Sequence, residues 1–93
     1  MAKDTSRLLE LLQAETFPLR YVHKFIGRNT PAFRAAVAAL GKQFPSVVCE
    51  GFRESGESHA WLAYTFVQTA ASAPDIVAFV EATALLTDIK LVL

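Results

Sequence analysis

The first long apolar run of the chain, residues 17–27, has the alternating pattern of a β-strand. The alternation puts one set of side chains on one side, namely Tyr21, His23 and Phe25. The opposite side carries Val22, Lys24 and Ile26. Both sides are substantially apolar, which is typical of an inner strand with a neighbour at each edge. We therefore expect this run to be a central strand of a small sheet.

Two later stretches repeat apolar residues at helical spacing, and each begins with a cap signal. Thr30 and Pro31 open the first helix, because a hydroxyl cap is followed by a residue that needs no N–H bond. Its apolar stripe consists of Phe33, Val37, Leu40 and Phe44. Ser72 and Asp75 predict a capping box for the second helix. Its stripe consists of Ile76, Phe79, Val80 and Thr83.

Three further runs, rich in β-branched and aromatic residues, predict the remaining strands at residues 46–54, 59–68 and 89–93. The polar cluster at residues 55–58 predicts a hairpin turn between the first two of them. The order strand, helix, strand, strand, helix, strand predicts an α+β, ferredoxin-like fold with a four-stranded antiparallel sheet and two helices on one face. Right-handed crossovers place the first and third strands at the centre of the sheet.

A leader of residues 1–16 precedes this domain, which we expect to span residues 17–93. Leucines at positions 8, 9, 11 and 12 predict a short amphipathic helix over residues 4–15, capped by Asp4 or Thr5. A helix of about three turns is marginal alone. We expect it to dock on the outer face of the sheet or on a neighbouring molecule, and the alternative is a disordered tail.

The sheet face away from the two helices decides which side chains a partner can reach. In the last strand Ile89, Leu91 and Leu93 share one apolar side, which we assign to the helices. The same reasoning assigns to the helix side Tyr21, His23, Phe25, Leu62, Tyr64 and Phe66. We expect the opposite face to be a mixed patch rather than an apolar one, with Lys24, Glu50, Trp61, Thr65 and Lys90. Lys24 and Lys90 would repel on adjacent strands, so we expect Glu50 or an acidic partner group near them.

The composition narrows the classes of partner and location. The 93 residues include nine basic and nine acidic side chains, and 53% are hydrophobic. A neutral chain has no long-range field for nucleic acid or anionic lipid, whereas the high apolar fraction favours a surface that a partner covers. Cys49 is the only cysteine, so we expect a structural thiol in a reducing compartment. Without a signal-peptide pattern or an apolar run of about 18 residues, we expect a cytoplasmic protein.

No residue set in the sequence has the pattern of a catalytic or metal site, and we expect neither an enzyme nor a bound cofactor. His23 and His59 lie in different predicted strands without short ligand spacing, so we expect a hydrogen-bonded sheet residue and a solvated turn residue. Gly27 and Arg28 precede a helix whose free amides suit an anion, but no glycine-rich loop supports that site. RNA binding is less favoured, because our facing assignment buries the aromatic side chains that would stack on bases.

Several short patterns taken together resemble the YbeD-like family of small bacterial proteins of uncharacterised function. They are Phe17-Pro18, Tyr21-x-x-Lys24-Phe25-Ile26-Gly27, Phe33-x-x-x-Val37, Phe44-Pro45, Arg53-x-Ser55 and Ile89-Lys90-x-Val92-Leu93. The resemblance implies a ferredoxin-like fold similar to ACT-type regulatory domains, which bind small effectors or associate through sheet edges, and it hints at a link to lipoate attachment. The sequence departs from the family at Glu57, Ser58 and His59, where a Gly-Lys-Tyr stretch is common.

The leading expectation is a non-enzymatic regulatory or protein-interaction domain that binds a partner, or a second copy, through the face or edge of its sheet. The alternative is an ACT-like module that binds a small acidic effector. The candidate binding residues are Lys24, Gly27, Arg28, Glu50, Arg53, Trp61 and Lys90. Trp61 is included because exposed tryptophan is enriched at binding hot spots.

Overall fold

The computed structural model describes residues 5–93, so the predicted cap residue Asp4 lies outside the described part of the chain. The strands are β1 (Leu19–Arg28), β2 (Val47–Ser55), β3 (Trp61–Ala70) and β4 (Ile89–Val92). The helices are α1 (Ser6–Leu12), α2 (Pro31–Gln43) and α3 (Ala73–Ala84). A single 3-10 turn, Glu57–His59, joins β2 to β3.

The four strands form one antiparallel sheet in the order β2-β3-β1-β4. This order, with α2 and α3 packed on the same side, is that of a ferredoxin-like α+β fold and confirms the predicted architecture. The central pair β1 and β3 is in register over ten residue pairs, from Leu19 with Ala70 to Arg28 with Trp61. Within residues 5–93, none of the helices has the length and apolar character needed to cross a membrane.

The core lies between the sheet and the helices, on the side that the alternation predicted. The buried helix-side residues of the two central strands include His23, Phe25, Leu62, Tyr64 and Phe66. Phe33, Val37 and Leu40 of α2 and Phe79 of α3 pack against this set in one cluster. The stripe spacing therefore predicted correctly which helix residues enter the core.

His23 is a buried polar residue with a partner inside this core. It is 4% exposed, and its Nε2 lies 2.8 Å from Oε1 of Gln68 on β3. The Gln68 amide donates in turn to the backbone carbonyl of Asp75 in the first turn of α3, at 3.3 Å. A buried polar group is tolerated when it is hydrogen-bonded, and this chain ties β1, β3 and α3 together. The expectation of a hydrogen-bonded sheet histidine is confirmed.

The two predicted helix caps have different outcomes. Thr30 caps α2, because its side-chain oxygen accepts a hydrogen bond from the Phe33 amide at 3.0 Å. Ser72 lies at the cap position of α3 but makes no side-chain cap bond, so the predicted capping box is wrong. Aspartate is one methylene shorter than the glutamate that this motif uses, which shortens the reach of Asp75 back to the cap.

The helix α1 packs beside α3 and not on the outer face of the sheet, so the predicted docking site is wrong. Leu12 is 5% exposed and packs in a cluster with Ala70, Ala73, Ile76 and Val80. The small and apolar residues of α3 leave a groove at the end of the sheet that the leucines of α1 fill. Thr5 makes no cap bond, and its hydroxyl donates instead to Glu81 of α3 at 3.2 Å.

An irregularity in β4 changes the facing that the sequence predicted. Ile89 pairs with Gly27 and Leu91 with Ile26, so the register shifts by one residue between them. Such a bulge places two residues of one strand opposite one residue of its neighbour, and the strict alternation fails there. Ile89 and Val92 consequently pack on the core, while Leu91 is 39% exposed. The prediction that Ile89, Leu91 and Leu93 share the helix side is wrong.

Candidate binding face of the sheet

The side of the sheet opposite the helices, called the open face below, is not covered by any described helix. The alternate residues of the central strands form it. On β1 they are Arg20, Val22, Lys24, Ile26 and Arg28, and on β3 they are Trp61, Ala63, Thr65, Val67 and Thr69. Val48 and Arg53 extend the face on β2, because they pair with Val67 and Ala63. Sheets with one uncovered side usually expose polar residues there.

This open face is more apolar than the sequence predicted. Val22, Val48 and Leu91 are 41%, 60% and 39% exposed, and Ile26 and Val67 are half-buried among them. Val22 and Ile26 share the alternation of Lys24, so the strand pattern already contained this signal. Leu91 was missed because the bulge in β4 turns it outward. The open face carries the expected mixture of Lys24, Glu50, Trp61, Thr65 and Lys90, and only the aliphatic residues beside them were missed.

Five cations lie within and around this apolar region, and they have no carboxylate partners at ion-pair distance in the described part of the chain. They are Arg20, Lys24, Arg28, Arg53 and Lys90. The ion pairs found among residues 5–93 all involve Glu54, which pairs with Arg34 and His59 beside β2. The expected pairing of Lys24 with Glu50 is absent at ion-pair distance, although both line the same depression. The five cations are therefore available to an external anion.

Trp61 contacts two of these cations at one end of the open face. The guanidinium carbon of Arg28 is 5.1 Å from the centre of the indole ring, and Nζ of Lys90 is 4.3 Å from it. Contacts of this kind are worth about 0.5–1 kcal/mol at exposed sites. The hairpin turn adjoins the indole, since a Cβ on Gly56 would lie 2.7 Å from the Trp61 ring carbon Cδ1. The turn and the two cations thus fix the position of Trp61.

A shallow depression of about 460 Å³ lies on the open face near β2. Its lining includes Lys24, Glu50, Arg53, Ser55, Thr65 and Leu93. Two cations and two hydroxyl groups above an apolar floor suit a small organic acid. The structure therefore brings together six of the seven predicted site residues, since Lys24, Glu50 and Arg53 adjoin the depression and Arg28, Trp61 and Lys90 form the stack beside it.

Gly27 does not join these residues, because it lies on the helix side of β1. It is buried, and the ring of Phe33 stands directly over it. At the start of α2 the Thr30 hydroxyl donates a 2.7 Å hydrogen bond to the Asp88 carboxylate. A carboxylate of the chain itself thus lies at the helix start where the sequence suggested an anion site. Gly27 is a packing position.

A second uncovered region, which the sequence did not indicate, lies between α2 and the edge strand β2. A groove of about 480 Å³ there is lined by Val37, Ala38, Gly41, Val47, Cys49, Phe52, Tyr64 and Phe66, among others. Phe52 is 51% exposed, and the predicted structural thiol, Cys49, is exposed. Burial raises the pKa of the Tyr64 hydroxyl above its usual value of 10.0.

The histidines do not meet in space. His23 is buried in the core, whereas the exposed His59 lies in the hairpin turn with Nδ1 3.5 Å from Glu54. The prediction of a solvated turn residue is confirmed for His59. Across residues 5–93 no group of three or more metal-type side chains is found.

Comparison with known proteins adds no assignment to this geometry. No protein-family model matches the chain, and no curated protein matches it significantly. The resemblance to the YbeD-like family therefore stays a prediction.

Proposed function

We propose that this chain is a non-enzymatic interaction domain, with a regulatory or adaptor role, that binds a partner protein through the open face of its sheet. The observation that carries the proposal is an uncovered surface on which exposed aliphatic side chains lie among cations that have no ion-pair partner within residues 5–93. We retain membership of the YbeD-like family and a cytoplasmic location as parts of the proposal. Both rest on the sequence alone.

Burial of the aliphatic part of the face would contribute favourable free energy to binding. Val22, Val48 and Leu91 expose apolar area to water, and covering such area is favourable by about 25 cal/mol per Å². Several exposed aliphatic side chains on one face of a small domain are typical of an interaction site. The cations around it supply orientation and a faster encounter with a complementary surface. Together they describe a docking surface rather than a solvated face.

Affinity capture from the native host tests this proposal with two matched variants. The first, Val22→Ser with Lys24→Ala, removes one exposed aliphatic side chain and one cation from the open face. The second, Leu85→Ser with Lys42→Ala, makes the same kinds of change on the helix layer, where Leu85 is 82% exposed and Lys42 is exposed. All four positions are exposed, so circular dichroism should show unchanged folding.

We expect the wild type and the helix-layer variant to retain the same proteins and the open-face variant to lose them. Equal retention by both variants would contradict the use of this face. Quantitative mass spectrometry of the captured proteins provides the measurement.

The second candidate is an ACT-like module for a small acidic effector, and the depression beside Lys24 and Arg53 favours it. A bound ligand raises the melting temperature in proportion to its affinity for the folded state. A thermal-shift screen against amino acids and lipoate-related acids would detect it, with Arg53→Ala as the variant that removes a lining cation. A rise in melting temperature that this variant abolishes would favour the effector module over the protein-interaction domain.

A further inference from the structure

The open face carries a positive charge that the neutral composition of the whole chain hides. It includes five cations and, among the described residues, one carboxylate, Glu50 at the bulge of β2. The chain as a whole has nine residues of each sign. The acidic side chains of the described residues therefore lie mostly elsewhere, and the face is strongly basic. A surface with this charge is complementary to an acidic partner.

The same charge argues against a second copy as the occupant of the face. Two copies related by a two-fold axis place the same patch on both sides of the interface. Arg20, Lys24, Arg53 and Lys90 would then meet cations of the same set, and like charges at an interface cost several kcal/mol. The occupant therefore has a different composition from the open face.

The backbone of the sheet indicates what secondary structure the occupant has. The open face consists of side chains of β1 and β3, whose backbone N–H and C=O groups point along the plane of the sheet toward neighbouring strands and not out of the face. An extended peptide on this face would bury its own N–H and C=O groups without partners, which is costly. A helix satisfies these groups internally and is the element that usually covers the face of a sheet.

The outward side chains distinguish a protein from a nucleic acid. Single-stranded nucleic acid binds to sheets that display aromatic rings on the central strands, where bases stack. Here the aromatic residues of β1 and β3 that could stack, such as Phe25 and Phe66, are 1% and 2% exposed. The outward positions of β1 and β3 carry aliphatic, basic and hydroxyl side chains, and the one outward aromatic residue among them, Trp61, is partly buried and contacts Arg28 and Lys90. The aliphatic pairs Val22–Val67 and Ile26–Ala63, with Lys24 and Thr65 between them, fit a helix whose apolar stripe is accompanied by carboxylates.

We infer that the occupant of the open face is an acidic amphipathic α-helix of a partner protein. Its apolar stripe covers Val22, Ile26 and Val67, and its flanking carboxylates pair with the surrounding cations, Lys24 and Arg53 foremost. This inference rests on the proposed function and narrows it to a class of partner. The occupied face would complete a three-layer arrangement of helix, sheet and helices.

The fluorescence of Trp61 tests the inference directly, because it is the only tryptophan of the chain and lies on the face. The probe is a synthetic 18-residue helical peptide with leucines along one stripe and glutamates on both flanks. We expect a saturable change in emission, because the carboxylates of the peptide compete with the indole for the nearby cations. The change should weaken as sodium chloride is raised, because salt screens the attraction between carboxylates and cations. A scrambled peptide of the same composition, which has no apolar stripe, should bind at least about tenfold more weakly.

A charge-reversal pair provides the matched comparison. Lys24→Glu with Arg53→Glu should weaken peptide binding by about tenfold or more, since two of the complementary charges become repulsive. The control, Arg7→Glu with Lys42→Glu, makes the same change in net charge at exposed positions of α1 and α2.

Four outcomes would overturn the inference. They are no binding by the wild type, equal weakening by the two variant pairs, equal binding of the scrambled peptide, and binding of a uridine oligonucleotide or phosphatidylglycerol vesicle in place of the peptide. A captured partner that binds through the open face without acidic character would contradict this inference and leave the proposed function intact. If the open-face variant captures the same proteins as the wild type, the proposed function itself is contradicted.

Discussion

Gly27 shows how a single residue without a side chain sets the distance between the sheet and a helix. Phe33 of α2 is fully buried, and its ring lies against the backbone of Gly27. A Cβ at this position would overlap three carbons of that ring. The sequence showed a lone glycine at the end of a strand, which is equally compatible with a turn, a bulge or an anion site. The close approach depends on the three-dimensional packing and is invisible in the pattern.

Gly27→Ala should therefore destabilise the protein. Phe33 is enclosed and cannot move aside cheaply, and overpacking of a core costs about 1–3 kcal/mol. Gly41→Ala is the matched control, because its Cβ would meet only an ordinary contact with Phe66 at 3.9 Å. Alanine at this position of α2 should stabilise the helix by about 0.5–1 kcal/mol. Urea unfolding of both variants checks the prediction, and a decrease in stability of equal size at both glycines would contradict it.

Tyr64 gives the protein a predicted loss of stability at high pH. Burial is the main cause that raises the pKa of its hydroxyl above 10.0, so the unfolded chain ionises at lower pH than the folded protein. The stabilising effect is full below the unfolded pKa and is lost as the pH rises through the folded one. The free energy of unfolding should fall more steeply as the pH rises above 10 in the wild type than in Tyr64→Phe. Parallel curves for the two proteins would contradict this account.

At the scale of elements, the strand alternation and the helical stripes predicted correctly which side chains of β1, β3 and the two long helices face the core. The helix side of β1 and β3 was correct because one-residue alternation cannot slip without exposing the core. The strand β4 failed because a bulge breaks that alternation, and nothing in Ile89, Lys90 or Leu91 signals it. The position of α1 failed for another reason. The amphipathic pattern of α1 predicts that the helix docks on an apolar surface. Which surface receives it depends on how α3 and the sheet pack.

The docking of α1 makes a testable claim about two adjacent leucines. Leu12 is 5% exposed in the cluster with Ile76 and Val80, whereas Leu11 is 58% exposed. Leu12→Ala should cost about 2–4 kcal/mol, because it removes buried methyl groups and leaves a cavity. Leu11→Ala should change the free energy of unfolding by less than about 1 kcal/mol. The reverse order in thermal or urea unfolding would contradict the observed packing of α1.

At the scale of the whole molecule, the distribution of charge supports the proposed function, whereas the net charge alone does not reveal the basic face. Equal numbers of acidic and basic residues suggested a surface without a field. The fold separates the two signs, because alternate positions of β1 put Arg20, Lys24 and Arg28 on the same side. Six of the seven predicted site residues do lie together, because alternate residues of paired strands point to the same side of the sheet. The aliphatic centre between them was underestimated because it required the register of four strands at once.

The central claim is that a partner covers the open face and leaves the helix layer free. Methyl chemical-shift mapping during titration with the acidic amphipathic peptide tests it most directly, because methyl groups report which side of a strand is touched. The account predicts shifts at Val22, Ile26, Val67 and Leu91, with the helix-side methyl groups of Val37, Leu40, Ile76 and Val80 unchanged. Shifts confined to the helix-side groups, or a spectrum that the peptide leaves unchanged, would contradict it.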